Sequence, residues 1–222
     1  MVDLLVRGGP VMAAIVLCSI AALAIILDRV FLLRSTRKRV DEFVRLVEGV
    51  LESGHLDEVR RLCREHPNPM ARIILAGMSK LGEGDARIQE AIQTAGEREA
   101  GRLERNMTGL ATIVSGAPLL GFLGTVLGMI KAFRQIEMLG GNVNATVLAG
   151  GIWQAMLTTA AGLAVAVPTL FAHNYLASRI KALVMDLEET SQSVLDALRR
   201  AGAETPGARV DPRLSSAGDS RS

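Results

Sequence analysis

Between Glu137 and Arg179 the chain runs for 41 residues without an Asp, Glu, Lys or Arg, and Met107 to Ile130 gives a further 24. About 20 apolar residues cover the roughly 30 Å hydrocarbon core of a bilayer, so two neighbouring stretches of this size predict two membrane-crossing helices. Their composition constrains the chain further. Thr125, Gln154, Thr158 and Thr159 stand among Gly and Ala where lipid would favour Leu. Small residues and hydroxyls inside a span point to helices that pack on one another, with or without a polar pathway between them.

A third uncharged stretch, Gly8 to Leu27, continues past Asp28 and Arg29 into Val30, Phe31, Leu32 and Leu33. A secretion signal carries its positive charge before a core of about 7 to 15 apolar residues. Here the core is longer and the charge follows it, as Arg29, Arg34, Arg37, Lys38 and Arg39. The stretch reads as a retained first span whose basic end marks the cytoplasmic side. Three spans then put the N-terminus outside and the C-terminus inside. Arg179 and Lys181 after the third span agree, as does the uncharged turn Met138 to Asn144. Lys131 and Arg134 lie close to that turn; they would snorkel, pair with Glu137, or fall beyond a shorter span.

The net charge of +2 and the charged fraction of 22% conceal this division. Residues 34–106 hold 14 Lys/Arg and 13 Asp/Glu, and residues 178–222 hold 7 of each. Both cytoplasmic segments are thus balanced, and aromatic residues make up 3% of the chain, which excludes a nucleic-acid surface built on basic excess and stacking rings. In the first segment Val40, Phe43, Val44, Val47, Val50 and Leu51 recur at helical spacing, followed by Ile73, Ile74, Gly77, Met78 and Leu81. Pro67, Asn68 and Pro69 break the helix between them. Ile88, Ile92, Ala95, Leu103 and Met107 mark an amphipathic helix leading directly into span two. Beyond span three the pattern resumes at Ile180, Leu183, Val184, Leu187, Val194, Leu195 and Leu198. The expectation is an all-α membrane protein whose second and third spans extend as long helices into a cytoplasmic collar. From about Ala201 the apolar content falls away, and the tail is expected to be disordered.

Cys18 lies in span one and Cys63 in the cytoplasm, so the two cannot form a structural disulfide. Cys63 and His66 form a Cys-x-x-His pair with His55 nearby, but no fourth ligand accompanies them, and they read as residues of an amphipathic surface. There is no P-loop, Gly-x-Ser-x-Gly, His-Glu-x-x-His or paired-carboxylate motif. Neither an enzyme nor a cofactor or metal is expected.

On span three, a line drawn at three- and four-residue steps passes through Ile152, Ala155, Thr159, Gly162, Ala166, Thr169 and His173; on span two the matching line is Val114, Pro118, Gly121, Thr125, Gly128 and Ala132. Two readings stand side by side. Both stripes can be packing seams, as Gly124 and Gly128 in a Gly-x-x-x-Gly pair suggest. Alternatively they line a pore, in which case neither span supplies a mid-membrane carboxylate or lysine, and threonine does not titrate in this range. A partner subunit with an intramembrane Asp is then the simplest proton carrier.

The run Ala117-Pro118-Leu119-Leu120-Gly121-Phe122-Leu123-Gly124-Thr125-Val126-Leu127-Gly128-Met129-Ile130, with Phe133, and the later run Leu157-Thr158-Thr159-Ala160-Ala161-Gly162-Leu163-Ala164-Val165-Ala166-Val167-Pro168 resemble the paired signature of the MotA/TolQ/ExbB proton-channel family. The resemblance covers about residues 8 to 200, and the three-span layout is similar to ExbB and TolQ. It implies a homopentamer around a central pore, ExbD- or TolR-like single-span partners whose aspartate carries the proton, and work passed on to TonB-like or Tol-Pal components. It also implies a bacterial inner-membrane location, with pore threonines at Thr125 and Thr159. Gln154, Thr158, Pro118, Gly162 and His173 are further pore or gate candidates. Gln154 departs from the glutamate common in ExbB and TolQ, and His173-Asn174 replaces the usual Tyr-Asn.

On this basis the expected division is a first transmembrane helix over 1–33 with a periplasmic N-terminus, a cytoplasmic helical region over 34–106, and a second transmembrane helix over 107–137. A periplasmic turn over 138–144, a third transmembrane helix over 145–178, a cytoplasmic helix over 179–200 and a disordered tail over 201–222 complete it. A non-conducting helical scaffold is the alternative function. A self-sufficient secondary transporter fits poorly, since the chain has no internal repeat and no buried charge to bind a substrate.

Overall fold

The computed structural model describes residues 2–52, 55–138 and 145–203. Among them are six helices and no strand: α1 (Val2–Glu52), α2 (Leu56–Glu65), α3 (Pro69–Met78), α4 (Asp85–Glu104), α5 (Met107–Met138) and α6 (Ala145–Ala203). The turn expected over 138–144 lies, beyond Met138, outside the described residues, as does the tail beyond Ala203. Helix α6 takes in residues 201–203, where the tail is expected to begin.

Three of the helical stretches, Gly9–Val47, Asp85–Met138 and Ala149–Asp196, are long and apolar enough to cross a membrane. The chain divides into two compact units, one of residues 1–34 and 103–181 and one of residues 35–102 and 182–222. The first unit contains the apolar part of α1, all of α5 and the apolar part of α6. Its buried side chains include Met12, Ile15, Leu110, Ala117, Ala155 and Leu176. Its outer surface is also apolar: Leu119, Phe122, Phe133, Trp153, Met156 and Phe171 are each more than half exposed. A surface of this kind requires lipid or further protein against it.

Helix α1 is kinked at Gly9, whose φ of 70° lies in the left-handed region, immediately before Pro10. Proline lacks the N–H that a helix interior needs, so the kink falls where a new helical start is least costly. A second break separates α4 from α5. The expected uninterrupted helix from residue 88 into span two is instead divided at Asn106, a non-glycine residue with φ 70°. Asparagine tolerates this conformation better than most residues. Beside that break, the buried Arg29 of α1 donates from Nη1 to the Leu103 carbonyl at 3.4 Å and pairs through Nη2 with Asp28 at 3.1 Å. A cation fits there, because the last carbonyls of a helix carry partial negative charge.

The second unit has a conventional core, with Phe43 and Val47 of α1, Val59 and Cys63 of α2, and Met70, Ile73 and Ile74 of α3 all buried. Ile88 and Ile92 of α4 and Leu183, Leu187, Val194 and Leu195 of α6 are buried as well. The Pro67-Asn68-Pro69 break works as the sequence predicts. Asn68 is the N-cap of α3, its Oδ1 accepting from the Ala71 N–H at 3.0 Å, and Pro69 takes the first helical position, where no N–H is needed. Glu99 of α4, almost wholly buried, accepts from Arg72 of α3 through both oxygens and from Arg102 at 2.7 Å.

Burial pushes the Cys63 thiol up to about 11. At pH 8 roughly a thousandth of it is thiolate, the reactive form. Cys63 is therefore expected to resist iodoacetamide in the folded protein at pH 8 and to alkylate readily after denaturation, as peptide mass spectrometry would show. Because the folded thiol keeps its proton at a pH where the unfolded one has lost it, this group's contribution makes stability fall as the pH rises from 9.0 toward 11.

Candidate functional site

The site lies in the first unit, where α5 and α6 run antiparallel with their backbones close together. Ala117, Gly121, Gly124, Gly128 and Ala132 are buried on α5; Ala155, Thr158, Gly162, Ala166 and Thr169 are buried on α6. Each glycine is required by the approach of the opposite helix. A Cβ on Gly162 would lie 2.5 Å from the Ala117 carbonyl oxygen, and one on Gly151 would lie 2.5 Å from the Ala132 Cβ. On Gly121 it would meet the Thr159 Cα at 3.0 Å, and on Gly124 it would collide with the Thr158 side chain. Small residues at four-residue steps on both helices allow this packing.

The observed seam is turned slightly from the stripes drawn on the sequence. Its centre passes through Ala117 and Gly124, with Pro118 and Thr125 half-buried at its edge on α5. On α6 Thr158 is fully buried and Thr159 half-buried. Thr158 is therefore the packing threonine. Its hydroxyl lies 2.8 Å from the Ala155 carbonyl and within reach of the Gln154 and Gly121 carbonyls. The sequence carries a signal for this centre in the spacing of Gly124, Gly128 and Ala132 against Gly151, Ala155 and Thr158, but a line drawn through Thr125 and Thr159 passes beside it.

Thr125 and Thr159 occupy one flank. At about 100° per residue each lies roughly 60 to 70° around its helix from the seam centre, and in an antiparallel pair both rotations lead to the same side. The Thr159 hydroxyl donates to the Gly121 carbonyl of α5 at 3.2 Å, and the Thr125 hydroxyl donates to Phe122 of its own helix at 2.6 Å. Pro118 lies on this flank too. Having no N–H, it leaves the Val114 carbonyl without its helical donor.

Helix α1 meets the opposite flank. The Cβ position of Gly9 is 2.9 Å from Gln154 Nε2 and 3.9 Å from Lys131 Nζ, and Ile25 lies 3.7 Å from the Cβ position of Gly109. Gln154 thus stands against the α1 kink and away from the threonine flank. Sequence reading does not find Gly9, although the Gly8-Gly9-Pro10 run carries its signal. His173 is half-buried further along α6, its Nδ1 3.3 Å from the neighbouring Asn174 Oδ1. Between Met107 and Ile130 of α5 and across residues 149–178 of α6 no carboxylate, lysine or arginine occurs. The flank can order water and exchange hydrogen bonds, but it has no group of its own to carry a proton.

The chain is similar in sequence to known proteins over this region. The chain is 31% identical over 188 residues to a putative biopolymer transport protein, ExbB-like 3, of Synechocystis sp., covering 83% of this chain and 89% of that one. A second Synechocystis protein, ExbB-like 1, is 33% identical over 205 residues, which is 90% of this chain and 79% of the relative. The Tol-Pal system protein TolQ of Pseudomonas aeruginosa is 30% identical over 192 residues, covering 78% and 80%. The MotA/TolQ/ExbB proton channel family matches residues 65–189. A match that takes in more than half of the sequence, and the whole α5–α6 seam with it, makes this chain a member of the MotA/TolQ/ExbB proton channel family, close to ExbB and TolQ.

Proposed function

We propose that this chain is the proton-conducting stator subunit of a bacterial inner-membrane motor, in which five copies surround a pore holding ExbD- or TolR-like single-span subunits. The observation that carries the reading is the position of Thr125 and Thr159 together on the flank of the α5–α6 seam that α1 leaves uncovered. A ring of such flanks would enclose a pathway lined by hydroxyls. A partner's intramembrane aspartate, costly in lipid by about 2.5 to 3.5 kcal/mol, would find hydrogen-bonding surroundings there. Its protonation and release, with the ring and partner turning against each other, would couple the proton motive force to work passed on to TonB-like or Tol-Pal components. In this arrangement Thr158 and Gly162 hold the seam, Pro118 shapes the pore flank, Gln154 fixes α1, and His173 stands near the cytoplasmic mouth. The N-terminus is periplasmic, and the second unit forms the cytoplasmic collar.

A non-conducting scaffold is the second reading, favoured by the glycine seam, whose close packing alone accounts for Gly121, Gly124, Gly128 and Gly162. Affinity purification of the chain from native membranes in mild detergent, with mass spectrometry of what accompanies it, separates the two. The motor reading expects a single-span protein with an aspartate early in its span, present in fewer copies than this chain. A homo-oligomer free of any such protein would leave the pathway without its carrier and establish the scaffold.

A further inference from the structure

In the second unit, α3 and α4 enclose an open groove of about 450 Å³ that the proton pathway does not involve. Small side chains, Ala76, Ala91 and Ala95, line it together with a set of cationic ones. Five cationic side chains, Arg72, Lys80, Arg87, Arg98 and Arg102, line it against only two carboxylates, Glu90 and Glu99. On α4 the positions 87, 91, 94, 98 and 102 follow one another at three- and four-residue steps, so the arginines share one face.

The pairing within the groove leaves positive charge over. Glu99 is a single buried carboxylate engaged by two guanidiniums, Arg72 and Arg102. Arg87 pairs with Glu90 at 3.0 Å, but both are about two-thirds exposed, and a pair of that kind contributes little. Lys80 pairs with Glu83, outside the groove's lining. Arg98 is exposed and has no hydrogen-bonding or ionic partner among the described residues. Arg72 is itself held in place by a two-point contact with Glu99, so this part of the lining is arranged before any ligand arrives.

We propose that this groove is a binding site for a phosphate-bearing anion. Several guanidiniums converging on one concavity match a phosphate, with its double charge and three acceptor oxygens, better than a single carboxylate. The volume is that of a small-ligand site. No aromatic ring lines it, so a nucleobase would have nothing to stack on, and recognition would be of the phosphate group itself. The anion has two sources, a soluble phosphate ester and an anionic lipid headgroup. In sequence Arg102 precedes the uncharged stretch that begins at Met107 by only five residues.

The test uses the full chain with three probes: inorganic tripolyphosphate titrated calorimetrically in a neutral detergent, phosphatidylglycerol against phosphatidylcholine in nanodiscs with native mass spectrometry, and a short polyglutamate peptide as competitor. Arg98→Gln, alone and with Arg87→Gln, is expected to weaken binding about tenfold or more. Arg60→Gln, an exposed arginine of α2 outside the groove, should leave it unchanged. Because Arg98 is exposed and makes no hydrogen bond or ion pair among the described residues, its substitution is expected to leave the helices intact, which circular dichroism checks. Tripolyphosphate binding without phosphatidylglycerol enrichment assigns a soluble ligand; enrichment without tripolyphosphate binding assigns the lipid. Failure of both probes, or equal weakening by Arg60→Gln, overturns the site. Polyglutamate competing as well as tripolyphosphate overturns the phosphate assignment in favour of an acidic protein segment.

Discussion

Gly162→Val is expected to prevent α5 and α6 from packing, so that size-exclusion chromatography of the solubilised membrane protein shows no discrete oligomer. The first atom of the new side chain would lie 2.5 Å from the Ala117 carbonyl oxygen, which belongs to the helix backbone and cannot rotate away. The Gly121 Cα and N, at 3.2 and 3.3 Å, close the other direction of escape. Relief would require the two helices to separate by several tenths of an ångström or more along the seam, and the neighbouring close contacts at Gly124 and Gly128 would loosen with it. Overpacking of a well-filled interior costs about 1 to 3 kcal/mol per site, and more where only backbone faces the intruder. Gly162→Ala, which adds that same first atom alone, should give a partial loss. Gly116→Ala, on α5 with nothing within 4 Å of the added carbon, should assemble like the parent chain. Full assembly of Gly162→Val would mean that the helices are not held at this distance, and the placement of the threonines relative to the seam would fall with it.

The large features of this fold were legible because they rest on one-dimensional properties. Span length follows from the thickness of a bilayer, so uncharged runs locate α5 and α6 directly. The break at Pro67-Asn68-Pro69 was legible because a cap and a proline act within three residues of themselves. Seam phase is different. The sequence shows that small residues recur at four-residue steps on both spans, but Gly121, Gly124, Thr125 and Gly128 all satisfy such a step within a rotation of about 100°. Which of them faces α6 depends on the opposite helix, whose bulk at Thr158 demands a glycine at 124 and leaves Thr125 at the edge.

The kinks are only weakly signalled in the sequence, for a related reason. Asn106 and Gly9 adopt left-handed backbone where the chain turns between packed elements. Both residues tolerate that conformation, but their occurrence in the sequence does not demand it. Buried Arg29 was hidden too: in sequence it is one of a run of membrane-flanking cations, and its burial against the Leu103 carbonyl, which sets it apart from exposed Arg34 and Lys38, is a property of the fold. Within the candidate site, the identity of Thr125 and Thr159 came from the helical lines and the family resemblance, whereas their common flank is a property of two helices and could not be read from either alone.

Thr159→Val is expected to abolish energised transport while leaving the oligomer and its partner complex assembled. Valine nearly matches threonine in size, and the position is half-buried at the edge of the seam, so packing survives the exchange. The hydroxyl lost is the one that reaches across to the Gly121 carbonyl at 3.2 Å. A single hydrogen bond of this kind contributes about 0.5 to 1.5 kcal/mol to stability, too little to dismantle a seam held by the close contacts around Gly121, Gly124, Gly128 and Gly162. In the proposed ring of five copies the effect on conduction should be far larger, because the exchange would withdraw every Thr159 hydroxyl from the surroundings proposed to receive a partner's carboxylate. The readouts are proton-motive-force-dependent uptake in cells and co-purification of the single-span partner from the same membranes. Thr159→Ser, which keeps the hydroxyl and loses a methyl group, should retain substantial transport, and that rescue distinguishes chemistry from shape. If Thr159→Val transports normally, the hydroxyl serves no proton pathway. The seam would then be a packing device alone, as the scaffold reading holds.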